Sequence, residues 1–135
     1  MSGVCSTRTR FRQFFMIKAA IPVLHVSSSR AAENFYCNKL GFKLDFAYRP
    51  FGGDDPCYFG VSRDSVVIEM SSFSGDGVAG GVVVVVVDNV DAYHREFTAK
   101  GVKIDTGPID QDWGNREMYV KDADRNSLRF TQWLK

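Results

Sequence analysis

Residues 21–46 read IPVLHVSSSRAAENFYCNKLGFKLDF, and residues 82–104 read VVVVVVDNVDAYHREFTAKGVKI. Both strings have the same order: an apolar run of strand length, a capping cluster, a helical stretch, a glycine and a second apolar run. In the first, Ala20–Val26 spells a buried strand, and Ser27, Ser28 and Ser29 offer an N-cap. Ala32, Phe35, Tyr36 and Leu40 recur at helical spacing, Gly41 stops the helix, and Phe42–Tyr48 alternates as a strand. In the second, Val82–Val87 is the strand and Asp88 and Asn89 cap a helix. Val90, Tyr93 and Phe97 form its apolar face. Asp91 lies in the first turn and Lys100 in the last, as the helix dipole prefers, and Gly101 ends it.

The pattern extends outward from both strings. Pro50, Gly52, Gly53 and Pro56 mark a loop. Cys57–Val61 and Ser65–Ser72 read as strands joined by a turn at Arg63 and Asp64. The glycine-rich stretch 74–81 connects to the second string. After it come strands at Val102–Thr106, Arg116–Lys121 and Ser127–Gln132. Gly41 and Gly101 lie 60 positions apart, and Phe59/Tyr119, Asp64/Asp124, Ile68/Leu128, Met70/Phe130 and Phe73/Trp133 share that offset. The chain therefore reads as an α+β fold of two tandem βαβββ modules, residues 19–73 and 81–135, whose curved mixed sheets surround a cleft. The valine run is an aggregation hazard if exposed, so it is expected at the centre of its sheet.

The composition agrees. With 135 residues, 44% hydrophobic and 24% charged, the chain is one globular domain, residues 19–135. No apolar run nears the ~20 residues of a membrane helix. The net charge is +1, but Arg8, Arg10, Arg12 and Lys18 fall in a basic extension, residues 1–18, that precedes the first acid, Glu33. The rest is mildly acidic, unlike a nucleic-acid binder. The extension is expected to be frayed, an upstream start with Met16 as an alternative, or an organellar transit segment, and poorly ordered unless Phe11, Phe14 and Phe15 dock. Cys5, Cys37 and Cys57 lack metal-site spacing and suit reduced thiols in the cytoplasm.

The strings above, with SVVIEM (65–70) and WGNREMYVKDADRNSLRFTQW (113–133), resemble the vicinal-oxygen-chelate superfamily of glyoxalase I, bleomycin-resistance proteins and extradiol dioxygenases. The matching stretches run from Ala20 to Trp133, and the strand–helix–LGF opening together with the D-x-D-x-N-x-L-R-F hairpin carries the likeness. The resemblance implies four cleft-facing metal-ligand positions. Here they read Ile21, Glu69, Val82 and Arg129. Only Glu69 has a donor for a cation, so no metal and no other cofactor is expected. The resemblance also implies a homodimer, often with clefts shared between subunits.

Several residues are candidates for chemistry. His25 shares a strand face with Ile21 and Val23 and could meet an acidic ligand group or act as a base; it could equally be structural. Glu69 and Arg129, 60 positions apart, form an ion pair across the cleft floor or each hold a ligand group. Trp113, with Arg116 and Glu117 nearby, and Tyr48, Phe51 and Tyr58 around the matching loop, suit stacking on flat ligands; they could also pack an interface. Trp133 is expected to pack the last strand. Cys37 has no neighbouring base. The acidic pairs Asp54–Asp55 and Asp110/Asp112 are expected in solvent. These residues point to a metal-independent protein that binds or sequesters a small organic molecule, as bleomycin-resistance proteins do. The alternatives are a metal-dependent lyase, isomerase or dioxygenase, a metal-free enzyme using His25, and an interaction module whose cleft is filled by its own side chains.

Overall fold

A computed structural model describes residues 14–134. Cys5, Phe11 and the three arginines of the basic extension lie outside the described residues. Phe14 and Ile17 are exposed.

The first module runs β1 (Val23–His25), α1 (Ser29–Glu33) with a π-helical continuation (Asn34–Lys39), β2 (Lys43–Tyr48), β3 (Tyr58–Arg63) and β4 (Val66–Ser71). The second runs β5 (Val82–Val86), α2 (Val90–Ala99), β6 (Thr106–Asp110), β7 (Asn115–Lys121) and β8 (Ser127–Trp133). Each module builds one four-stranded sheet, ordered β1-β4-β3-β2 and β5-β8-β7-β6. In each, the first strand is parallel to the last and the remaining pairs are antiparallel. These are the two βαβββ modules expected from the sequence. Ser28 caps α1 and Asn89 caps α2, each accepting the N–H of the residue three on. One expected strand is displaced. Val102–Thr106 does not pair along its length, and β6 begins only at Thr106. Val102 and Ile104 instead join the core from an irregular segment.

The duplication does not keep one offset. Leu24 aligns with Met70, and Val85 with Phe130, so the first strands correspond at an offset of 61. The N-caps keep that offset. The first helical segment carries one residue more than the second, and the π-helical turn absorbs it. Phe59 pairs with Met70 and Met118 with Phe130, so β3 and β7 correspond at 59. The β7–β8 turn then holds one residue more than the β3–β4 turn, restoring 60. Phe59 is thus matched by Met118, not Tyr119. Both are buried, while Tyr119 lies on the opposite face.

One core joins the modules. Phe59, Val61, Ile68 and Met70 from the first sheet, and Met118, Val120, Leu128 and Phe130 from the second, pack with Tyr36, Leu40 and Phe97 of the helical segments. The helical faces of the two sheets are turned toward one another. Lys39 Nζ donates to the Lys100 carbonyl at 3.3 Å, which places the two helical C-termini side by side. Arg63, at the end of β3, holds Glu96 of α2 through two hydrogen bonds of 2.7 and 2.9 Å and lies over the Tyr93 ring. On the other side, buried Tyr36 donates to Asp122 at 2.8 Å. Asp122 also accepts the N–H groups of Asp124 and Asn126 and the Asn126 side-chain amide. Asn126 in turn donates to the His25 carbonyl and accepts from Gly81 N–H. The hairpin turn of the second module thereby clasps the first strand of the first.

The Arg63 guanidinium holds the Glu96 carboxyl below its ordinary value of 4.5. A depressed carboxylate adds stability in full above its unfolded value, and loses it as pH falls through the lower folded one. Glu117 shifts in the same direction. The thermal midpoint should therefore drop as pH is lowered below about 4.5, and drop less in Glu96→Gln. An identical acid profile for wild type and variant would remove Glu96 from the account.

The valine strand is not central. β5 is the edge of its sheet, and Val82, Val84 and Val86 are exposed, with only Val85 buried. The expectation fails because both faces of this strand are apolar, so the sequence does not say which is covered.

Candidate functional site

With the helical faces spent on the core, each sheet offers its other face. On the first sheet, Val23 and Glu69 are register partners, as are His25 and Ser71, Gly60 and Glu69, and Tyr48 and Tyr58. Alternation puts His25, Tyr48, Tyr58 and Glu69 on this one open face. The Tyr58 hydroxyl donates to Glu69 Oε1 at 2.6 Å, which pushes the phenol up to about 12. Phe46 stacks beside Tyr58 with ring centroids 6.2 Å apart. Its ring lies directly over Gly60, where a Cβ would come within 2.5 Å of it. The glycine makes room for an aromatic floor. Sequence reading missed Phe46, although its place two residues before Tyr48 is the period-two signal that finds it. Phe51 lies in the loop beyond β2 and is 76% exposed.

His25 Nδ1 is 2.9 Å from the Asp76 carbonyl. A carbonyl only accepts, so Nδ1 carries the proton and the neutral ring keeps its lone pair on Nε2. The connector holds this tautomer: Gly77 is packed so closely on the backbone of β1 that a Cβ would sit 3.1 Å from His25 N.

On the second sheet, Asn115, Glu117 and Tyr119 of β7 and Arg129 and Trp133 of β8 share the open face. Glu117 is buried and takes three donors: Trp113 Nε1 at 3.0 Å, Asn115 Nδ2 at 3.3 Å and the Tyr119 hydroxyl at 2.8 Å. Burial disfavours its charge, but those hydrogen bonds and the nearby Arg129 outweigh it and hold the carboxyl below the ordinary range. Its oxygens orient Trp113, whose ring is exposed at the mouth of an open hollow of about 470 Å³ with Asp112, Gly114, Asn115 and Trp133. Trp133 is 65% exposed and lines that hollow; it does not pack under the strand.

Two expectations are corrected. Arg116 is not with this group. Alternation sends it to the helical face with Met118 and Val120, where it grips Asp91 at 3.0 Å through two nitrogens and Asp110 at 2.9 Å. Within one chain Glu69 and Arg129 form no ion pair: Glu69 is engaged by Tyr58, and the Arg129 guanidinium lies 4.8 Å over the Tyr119 ring. Asp55 is bound as well as solvated. It accepts Ser29 N–H at the start of α1 and the Ser72 hydroxyl at 2.6 Å, so it serves the fold. Cys37 and Cys57 are free thiols, and burial pushes the Cys37 thiol up.

The donor set does not fit a divalent metal. Ile21 and Val82 carry no donor and Arg129 is a cation. No three His, Cys, Asp or Glu side chains among the described residues come together as ligands. No helix among them is long and apolar enough to cross a membrane.

Comparison with known proteins agrees with this architecture. Among curated proteins no sequence matches. Solved structures do. An antibiotic-binding protein, TnmS3 from Streptomyces sp. CB03234, is 22% identical with a TM-score of 0.67, covering 88% of this chain and 99% of its own. TioX from Micromonospora sp. ML1 is 22% identical with a TM-score of 0.71, covering 87% and 99%. The bleomycin resistance determinant encoded on transposon Tn5 is 22% identical with a TM-score of 0.68, covering 86% and 98%. At these identities the likeness is one of fold. A family model described as "Glyoxalase superfamily protein" matches residues 6–135. Its span includes both modules and every open-face residue described above, and on that ground the chain belongs to the glyoxalase superfamily.

Proposed function

We propose that the protein binds a small aromatic organic molecule without a metal, in a cleft formed when the open face of one sheet meets the open face of the other sheet from a second copy of the chain. The observation that carries this reading is the contrast between the two faces of each sheet. The helical faces are consumed by one core. The opposite faces present Phe46, Tyr48, Trp113, Trp133, Val84 and Val86 to solvent around two hydrogen-bonded carboxylates, Glu69 and Glu117. Apolar sheet faces of this extent mark an interaction surface, and the polar groups set among them suit a ligand with both flat and hydrogen-bonding parts. Relatives of the same fold include an antibiotic-binding protein and a bleomycin-binding protein in complex with bleomycin, which favours binding over turnover. His25 supports a second reading, proton transfer without a metal, because its Nδ1 is held by the Asp76 carbonyl and its Nε2 takes no hydrogen bond among the described residues.

Sedimentation equilibrium and a thermal-shift panel test the proposal together. The chain is expected to be a dimer at micromolar concentration. A flat aromatic ligand at 100 times its dissociation constant should stabilise it by about 2.7 kcal/mol. A monomer that responds to no aromatic compound would sink the proposal. Turnover that is lost in His25→Gln while binding persists would move the assignment to the second reading.

A further inference from the structure

Four arginines among the described residues are partly buried: Arg49, Arg63, Arg116 and Arg129. Three of them are satisfied. Arg49 donates to the Asp54 carbonyl, Arg63 to Glu96 and the Leu40 carbonyl, and Arg116 to Asp91 and Asp110. Arg129 is different. Its guanidinium makes no hydrogen bond or ion pair among the described residues, and its Nε is buried without a partner. Keeping a half-covered cation with its donors unspent costs free energy.

Its surroundings within one chain do not repay that cost. Arg129 lies mid-strand on the open face of β8, with the exposed Val84 as its parallel register partner. Its charge is felt by Glu117, but both Glu117 oxygens are already taken by Trp113, Asn115 and Tyr119. Tyr119 intervenes: its hydroxyl faces Glu117 and its ring face carries the guanidinium. The arginine is thus held flat against a ring, which fixes its orientation without using its donors. Further along the same strand face comes Trp133, about 13 Å away at strand rise. Val84 and Val86 make an apolar strip beside that path.

Resting on the ligand-binding reading above, we propose that Arg129 anchors an anionic group of the ligand, and that the cleft takes aromatic carboxylic acids. The carboxylate meets the terminal nitrogens of Arg129, because a guanidinium presents paired donors matched to a planar oxyanion. The ring lies along the valine strip toward Trp133.

Isothermal titration of the full chain with 2-naphthylacetic acid, 2-naphthylacetamide and 2-naphthylethylamine tests this with one ring and three charges. The acid should bind at least tenfold tighter than the amide, and the amine most weakly. Arg129→Met, checked for an unchanged unfolding midpoint, should bring acid and amide to equal affinity. Arg129→Lys, which keeps the charge, should retain part of the preference for the acid. An amide or amine that binds wild type as tightly as the acid would overturn the assignment while leaving ligand binding intact. So would an Arg129→Met variant with wild-type affinity for the acid. Absence of binding by all three compounds would overturn both this assignment and the function on which it rests.

Discussion

Replacing Asp122 with alanine should cost about 3–5 kcal/mol, close to the loss of a buried ion-pair partner, and lower the thermal midpoint by roughly 10 °C or more. Four donors converge on this side chain: the Tyr36 hydroxyl, the Asn126 amide and two backbone N–H groups. Tyr36 and Asn126 are fully buried, so neither can turn to water. Each donor left unsatisfied in the interior costs about 1–3 kcal/mol. The loss reaches further, because Asn126 is also the link to the His25 carbonyl and Gly81 N–H. Tyr36→Phe removes one donor and should cost only about 1 kcal/mol. Urea unfolding measures both. A cost below 1 kcal/mol for Asp122→Ala would mean that this hairpin turn does not clasp the two modules.

Gly107→Ala should be comparably severe. Gly107 has φ +89°, in the left-handed region that favours glycine. A Cβ there would be driven onto the Glu117 carbonyl oxygen, with Ile109 N and Met118 Cα at 3.1 Å. The Glu117 and Met118 atoms are backbone of the neighbouring strand, so relief requires β6 to leave β7. The irregular register between Thr106 and Ile109 sits at this point. A cost above about 3 kcal/mol is expected, since strain and overpacking add. Gly114→Ala is the natural control. It has φ +92° but open space around it, and should cost about 1 kcal/mol. Because Gly107 lies against the backbone of Glu117, the severe variant should also change the fluorescence of Trp113. Equal stability losses in the two alanine variants would show that conformation, and not the close approach of strands, governs Gly107.

Much of this was legible in the chain. The serine and asparagine caps, the two helix-stopping glycines and the alternation in β3, β4 and β8 carry local signals strong enough to set the modules. His25, Tyr58, Glu69, Glu117 and Arg129 fall on open faces because a strand's period of two leaves them no other side. Arg116 was misplaced by adjacency to Glu117, although the same period, counted back from Met118 and Val120, assigns it to the helical face. Tyr119 was matched to Phe59 because a constant offset hides single-residue insertions, and in a strand one residue is the difference between faces. The valine strand has no period at all, so neither its buried side nor its edge position could be read. The direction in which the modules turn their open faces depends on contacts such as Lys39 with the Lys100 carbonyl and Arg63 with Glu96, between residues distant in sequence.

The place of β5 in its sheet has a consequence for synthesis. Among the described residues its one hydrogen-bonded neighbour strand is β8, which the ribosome makes about forty residues later. At 5–20 residues per second that is a wait of roughly two to eight seconds. For that interval a strand of consecutive valines has no strand to pair with, on a nascent chain among many copies of itself. Slower translation of the second half, or higher temperature during expression, should shift the yield from soluble protein to inclusion bodies. Relief should come from a chaperone that engages the chain before residue 127, and not from one that acts after release.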